Sequence, residues 1–333
     1  MQYRLLGKTG LRVSELALGT MSFGGDADEA ASARLYGAAR EAGVNVFDCA
    51  DVYSRGRAET ILGKLAKGCR DDIVLTTKAY FPMSDDPNGR GSSRYHLVRS
   101  VEASLRRLDT DRIDVFFLHR FDDDADLEGV LRAVDDLVRA GKILYVGASN
   151  FAAWQVQKAL GIANFRGLSP ICCVQPMYNL AKRTAEIEIL PQALDAGLGV
   201  LPYSPLGGGL LTGKYGAQKR PETGRIITNT MYATRYGADE SQRIAGEFTA
   251  VAEREGIHPV TLAIAWVASH PAVTAPLLGA RNVEQLRPAL AAADLELSAE
   301  LRAEISALTA PPPPATDRNE EASAHNYGAV LRK

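Results

Sequence analysis

The sequence predicts an α/β protein of the (β/α)8 barrel (TIM barrel) class, and three observations carry that expectation. Eight short apolar runs recur along the chain, at 16–18, 44–47, 73–75, 113–118, 143–146, 171–174, 199–201 and 273–278. Runs apolar at successive positions suit strands buried on both faces. Between them lie stretches of helical periodicity such as 95–108 and 127–140, and alternating strands and helices imply a parallel sheet. An open doubly wound sheet usually brings a glycine-rich first turn, yet no GxGxxG occurs here, so eight repeats in about 290 residues favour closure.

Ahead of the first barrel strand, residues 3–5 and 11–13 flank Gly7-Lys8-Thr9-Gly10, whose glycines permit a tight reversal. Residues 1–15 therefore read as a hairpin outside the barrel, covering its floor. After the seventh run, 206–239 is a glycine-rich connection far longer than the usual 2 to 6 residues and reads as a site loop. A helix over 282–291 follows the eighth strand and another spans 299–308. Four prolines then open the tail 311–333, which cannot continue that helix and is expected to run irregularly over the surface. No boundary divides the chain, so 1–333 reads as a single domain.

The 333 residues are 46% hydrophobic with a net charge of -2, enough apolar content for a large core. No basic cluster offers a footprint for nucleic acid or an anionic membrane, which leaves a small molecule or a protein as partner. The longest apolar stretches fall well short of the roughly 20 residues of a membrane span, and MQYRLLGKTG has no apolar signal region. The expected location is cytoplasmic. Cysteines 49, 69, 172 and 173 lack CxxC spacing and read as reduced structural thiols.

In such a barrel the active site lies at the carboxyl ends of the strands. Asp48 follows the second apolar run, Lys78 the third, His119 the fourth, Ser149-Asn150 the fifth, Gln175 the sixth, Tyr203-Ser204 the seventh and Gly279-Ala280-Arg281 the eighth. With Tyr53 in the stretch NVFDCADVYSRG, these supply carboxylate, ammonium, imidazole and phenol, a proton-transfer set. A phenol with pKa of about 10 is a poor acid at neutral pH, and a nearby ammonium such as Lys78 lowers that value. A lysine in a pocket keeps its own proton only beside a carboxylate such as Asp48. Singly, Asp48 or Asp51 could cap a helix, Lys78 could be a solvated cation and His119 a hydrogen-bonded core residue. Together at strand ends they read as catalytic.

The segments NVFDCADVY, LTTKAY, FFLHRFD, VGASNF, CVQPMYNL, LPYSPLGGGLLTGKY and LLGARNVEQL, in this order, resemble the successive signatures of the aldo-keto reductases. The branch includes potassium-channel β-subunits and aryl-alcohol dehydrogenases. The resemblance implies NADP-dependent reduction of an aldehyde or ketone, with Tyr53 as general acid, Lys78 and Asp48 as its electrostatic partners, and His119 orienting and polarising the carbonyl. It implies that Ser149, Asn150 and Gln175 hold the nicotinamide carboxamide and that Tyr203 stacks on the ring. The pyrophosphate falls to Ser204, Pro205, Leu206, Gly207, Gly209 and Lys214, with Gly208 in the same run. Gly19, Thr20, Met21, Gly279 and Gln285 complete the expected cofactor contacts. Arg281 at the start of its helix suits a 2′-phosphate and hence NADPH. Pro288 and Ala289 stand where relatives often carry Glu and Asn, which leaves room for NADH as a second donor.

Residues 208–214 also spell GxxxxGK, but Tyr215 replaces the hydroxyl a Walker loop needs on magnesium. The acidic run 122–124 with Asp126 lacks calcium-loop spacing, and the histidines are dispersed, so no metal is expected. Around the mouth, Met21, Phe23, Tyr80, Phe81, Arg120, Phe121, the segment 232–236 and Tyr327 are the candidate substrate contacts, an aromatic rim suited to a bulky or cyclic carbonyl. Two alternatives remain open: a cofactor-holding interaction module of the channel β-subunit type, and a Schiff-base aldolase using Lys78. The sequence carries no signal for oligomeric state.

Overall fold

The computed structural model describes residues 1–216, 219 and 221–316. Strands β1 (Tyr3–Leu5) and β2 (Arg12–Ser14) form an antiparallel hairpin, with Tyr3 opposite Ser14. Eight parallel strands follow: β3 (Ala17–Gly19), β4 (Val46–Asp48), β5 (Val74–Ala79), β6 (Ile113–Leu118), β7 (Ile143–Ser149), β8 (Ile171–Gln175), β9 (Gly199–Val200) and β10 (Leu277–Leu278). Their order is sequential from β3 to β9, with β10 on the other side of β3. The ring closes between the ends of that order, where the Thr274 and Ala275 N–H groups donate to Val200 O and Leu277 N–H to Pro202 O.

The barrel is sheathed by α1 (Glu29–Glu41), α2 (Arg57–Ala66), α3 (Arg94–Leu108), α4 (Leu127–Arg139), α5 (Ala153–Arg166) and α6 (Ile189–Ala196). The connection after β9 holds α7 (Arg225–Thr228) and α8 (Thr230–Tyr236), then come α9 (Asp239–Arg254), α10 (Pro259–Ala268), α11 (Val283–Leu290) and α12 (Ala299–Ala307). Side-chain caps explain several starts: Asp28, Ser93, Asp126, Asn282 and Ser298 each accept from a backbone N–H in the first turn of their helix. Asp126 therefore caps α4, and Asp122 accepts from Ser92 N–H; both belong to local loop architecture.

Inside the barrel, Val46, Val74, Val115, Phe117, Cys173 and Leu201 pack together, and Leu6 and Val13 of the hairpin segment join them with 0% exposure. The hairpin thus forms the barrel floor, as the sequence predicts. Its approach is close: a Cβ on Gly7 (φ +56°) would stand 2.7 Å from Gly199 N.

Three strands depart from the apolar pattern for identifiable reasons. Polar Thr76, Thr77, Lys78 and Ser149 continue β5 and β7 because the ladder satisfies backbone groups whatever the side chain. The eighth strand is shorter than its apolar run, since Pro276 has no N–H for a ladder. The four cysteines are unpaired.

Candidate active site

The two-residue alternation of β5 decides which of its polar groups reach the interior. Thr76 and Lys78 point inward, where the Thr76 hydroxyl donates to Asp48 Oδ1 at 2.6 Å and Lys78 Nζ to Asp48 Oδ2 at 2.6 Å. Thr77, between them, donates instead to Glu59 of α2. Asp48 sits opposite Thr76 in the β4–β5 register, which brings these groups together. Lys78 Nζ also donates to Cys49 O at 2.6 Å, and Gln175 Nε2 to Asp48 Oδ1 at 2.9 Å. Lys78 is 0% exposed and Asp48 2%, so neither is a solvated cation nor a helix cap.

Tyr53 follows β4 and lies beside this pair, with Lys78 Nζ 5.3 Å from its ring centroid. The turn presenting it is strained: Ser54 (φ 48°) and Arg55 (φ 53°) are left-handed residues with a Cβ, followed by Gly56 (φ 85°). The Ser54 hydroxyl anchors the turn by donating to Phe23 O at 2.8 Å. Burial, reinforced by the Asp48 carboxylate, holds the Tyr53 phenol well above its usual range. Desolvation dominates here, and the phenol keeps its proton at neutral pH.

His119 stands across from Tyr53, ring centroids 6.3 Å apart and nearly perpendicular. Burial, then the Lys78 charge, pushes its pKa down to about 3, so the imidazole is neutral. Its Nδ1 is buried without a hydrogen-bonding partner, which a satisfied core histidine would have. Asp51, two residues before Tyr53, caps no helix: it is 1% exposed and both its oxygens are unpartnered. Burial, with Glu59 adding to it, pushes its carboxyl up to about 7.

A polar chain extends from this centre along the strand ends. Tyr203 Oη donates to Asn150 Oδ1 (2.7 Å), Asn150 Nδ2 to Ser149 Oγ (3.1 Å) and Ser149 Oγ to Gln175 O (3.0 Å). Asn150 and Ser204 are both left-handed, at φ 57° each, so among the described residues four of the five such non-glycine residues lie on this rim. Observed strain gathered at one end of the barrel points to function there.

These residues open onto a cavity of about 820 Å³, running from Tyr53 and His119 past Tyr203 to Gln285 and Pro288. Ser204, Pro205, Leu206, Gly208 and Gly209 form one wall. At the far end Asp26 Oδ2 is shared by Arg281 Nε at 3.2 Å and Arg225 Nη2 at 3.3 Å. Lys214 lines the same end, its pKa lowered by burial and then by Arg281 and Arg225. The residues fit an elongated ligand with an amide at one end and phosphates at the other: amides meet amides, and cations meet anions. Gly209 (φ +100°) and Gly279 have no Cβ, and the space a Cβ would enter is open to within 3.9 Å or more.

Of the residues expected at a cofactor, Gly19, Met21, Asp48, Ser149, Asn150, Gln175, Tyr203, Ser204, Pro205, Leu206, Gly209, Lys214, Gly279, Arg281 and Gln285 line the cavity. Thr20 and Gly207 do not: Thr20 is buried and donates to Asp48 O, and Gly207 packs towards Tyr236. Of the expected rim, Met21, Phe81, Arg120, and Tyr232 and Arg235 of the 232–236 segment line the cavity. Phe23 is fully buried, Tyr80 packs edge-on against Phe81, and Phe121 packs on Phe151 and Trp154. Tyr327 lies outside the described residues. Sequence reasoning missed Asp26, Arg225, Met231 and His258, which sit in loops and short helices where no periodicity or motif marks them. Among the described residues, no helix follows 208–214 before α7, unlike a Walker loop.

A barrel with a lysine–carboxylate pair, a phenol and a neutral imidazole around one carboxyl-end cavity defines a class of proton-transfer site. The comparisons give that class a family: residues 15–310 match the Aldo/keto reductase family. The chain is 41% identical to an uncharacterized oxidoreductase, YrpG, of Bacillus subtilis, over 90% of this chain and 94% of that protein. A probable voltage-gated potassium channel subunit beta of rice is 37% identical (89% and 92% covered). Versiconal hemiacetal acetate reductase of Aspergillus parasiticus is 33% identical (90% and 94% covered). The chain belongs to the aldo/keto reductase family, oxidoreductases whose general chemistry is NAD(P)H-dependent carbonyl reduction.

Proposed function

We infer that the protein reduces an aldehyde or ketone to an alcohol with NADPH, Tyr53 donating the proton. The observation that carries this reading is the convergence of Tyr53, the Lys78–Asp48 pair and neutral His119 on one cavity. When bound, a nicotinamide supplies the hydride, which no side chain can. The chain's residues do the rest. Negative charge grows on the carbonyl oxygen as its π pair is displaced, and the Tyr53 hydroxyl with an imidazole N–H of His119 meets it there. The phenolic proton passes to that oxygen, and the new O–H completes the alcohol. Lys78, kept charged by Asp48, offsets the phenolate left behind.

Ser149, Asn150 and Gln175 would hold the carboxamide, Tyr203 the ring face, the 204–209 wall with Lys214 the pyrophosphate, and Arg281 a 2′-phosphate. Gln175 already gives its N–H to Asp48, so its Oε1 is the atom free for the ligand amide. A deprotonated lysine that could attack a carbonyl is disfavoured by the 2.6 Å Asp48 contact, against the aldolase reading.

The test is NADPH oxidation across a panel of aromatic, cyclic and sugar-like carbonyls, beside Tyr53→Phe. Loss of general acid catalysis is expected to lower kcat by about 10²–10⁴-fold while NADPH affinity persists. A Tyr53→Phe enzyme as fast as the wild type overturns the assignment. The likeness to channel β-subunits favours a second reading, an interaction module; tight NADPH binding with no turnover of any carbonyl would select it.

A further inference from the structure

The cavity lining carries five cationic side chains, and they divide into two sets. Lys214, Arg225 and Arg281 gather at the far end: the two arginines share Asp26, and both their charges depress Lys214. Arg120 and Arg235 stand apart. Arg120 is the first residue beyond His119, and Arg235 is on α8 with Tyr232. Arg235 is close enough to Tyr203 for its charge to act on that phenol, and Tyr203 and Tyr232 in turn act on Tyr53. Both arginines therefore belong to the end of the cavity where the carbonyl is reduced.

Among the described residues, neither guanidinium has a carboxylate within ion-pair distance or a hydrogen-bonding partner. The carboxylates in the cavity lining, among the described residues, are Asp48, already committed to Lys78, and Glu284, on α11 beside Gln285. Among the described residues, the mouth thus presents two uncompensated positive charges next to an apolar wall of Met21, Val52, Phe81, Met231 and Tyr232. A planar guanidinium matches a carboxylate bidentately, and Arg235, half-buried, is less screened by water than the exposed Arg120.

We propose that the site selects carbonyl substrates bearing an anionic group, in the first place a carboxylate, on an apolar or aromatic body, and that Arg120 and Arg235 are the residues that select them. The claim deepens, and rests on, the carbonyl-reductase reading above. The apolar wall takes the body, Tyr53 and His119 take the carbonyl oxygen, and the arginines take the anion. Neither arginine takes part in the proton transfer, so their contribution falls on KM.

The test compares 4-formylbenzoate with methyl 4-formylbenzoate, which share ring and aldehyde and differ in charge. With NADPH, the wild-type kcat/KM is expected to favour the anion by about tenfold or more, the order expected of a hydrogen bond to a charged group, with the preference shrinking as salt is raised. Arg120→Gln and Arg235→Gln should each lower the anion-to-ester ratio, and the double variant should bring it near one. Calorimetric titration of the NADP⁺-loaded protein with each aldehyde reads the same preference as a ratio of Kd, without turnover. Thermal melts check that the variants fold. An ester bound and reduced as well as the anion, or a ratio unmoved in the double variant, overturns the proposal and leaves carbonyl reduction standing. If no carbonyl of the wider panel is reduced, the reading beneath it falls too.

Discussion

Lys78 Nζ lies 2.6 Å from Asp48 Oδ2, and this contact between neighbouring strands joins two charges that are both almost wholly removed from water. Removing one partner leaves the other buried and uncompensated, at a cost of about 3–5 kcal/mol. Asp48→Asn is therefore expected to lower stability by about that amount in denaturant titrations, while the double variant Asp48→Asn, Lys78→Met recovers a large part of the loss. Equal stabilities for the single and double variants would contradict the coupling.

His119 carries a second prediction. With its pKa pushed down to about 3, the ring is neutral throughout the working range. The pH profile of kcat/KM should show no imidazole inflection between about pH 5 and 8. The unfolded chain binds a proton near pH 6.5 that the folded site refuses until about 3, so this group's contribution to stability is lost as pH falls through that window. A titration of the His119 ring by NMR showing an ordinary pKa would refute it.

Asp51 has the opposite slope. Its carboxyl is raised from 3.8 to about 7 by burial and then by Glu59, while Arg107 and Lys78 pull the other way. The folded state holds a proton that the unfolded chain has released, so stability falls as pH rises from about 4 to 7. Asp51→Asn removes the ionisable group at nearly constant shape. It is expected to raise Tm at pH 8 by about 2 °C or more and to do little at pH 4, read by scanning calorimetry at both values.

Arg281 bears on cofactor choice. In the structure its guanidinium is held at the cavity end by Asp26, and Gln285 Oε1 accepts from its backbone N–H. Arg281→Ala should weaken NADPH binding by about tenfold or more and leave NADH binding nearly unmoved, the difference expected of one charge-assisted contact to a 2′-phosphate. Fluorescence titration with each cofactor reads the ratio; an equal loss for both would detach Arg281 from that role.

Much of the barrel is legible in the sequence because its strands are buried on both faces and so leave continuous apolar runs. Ile113–Leu118 needs no adjustment, and the run at 273–278 shrinks only where Pro276 cannot join a ladder. The strand-end residues are legible for a related reason: a polar side chain straight after such a run has no place except the rim. Phe23 and Tyr80 show the limit, since aromatic character near a rim does not say whether a ring faces the cavity or packs behind it.

The sequence by itself determined the alternation of strands and helices, the hairpin floor, and which polar side chains stand at the mouth, because each depends on neighbours a few residues away. Tertiary structure alone decided their electrostatic state and company. Desolvation raises the Tyr53 phenol, neutralises His119 and leaves Asp51 unpartnered, and it depends on what packs from other elements. Likewise only the folded chain brings Asp26 to Arg225 across 199 positions of sequence. Contacts of that separation arise from barrel closure and leave no local pattern to read.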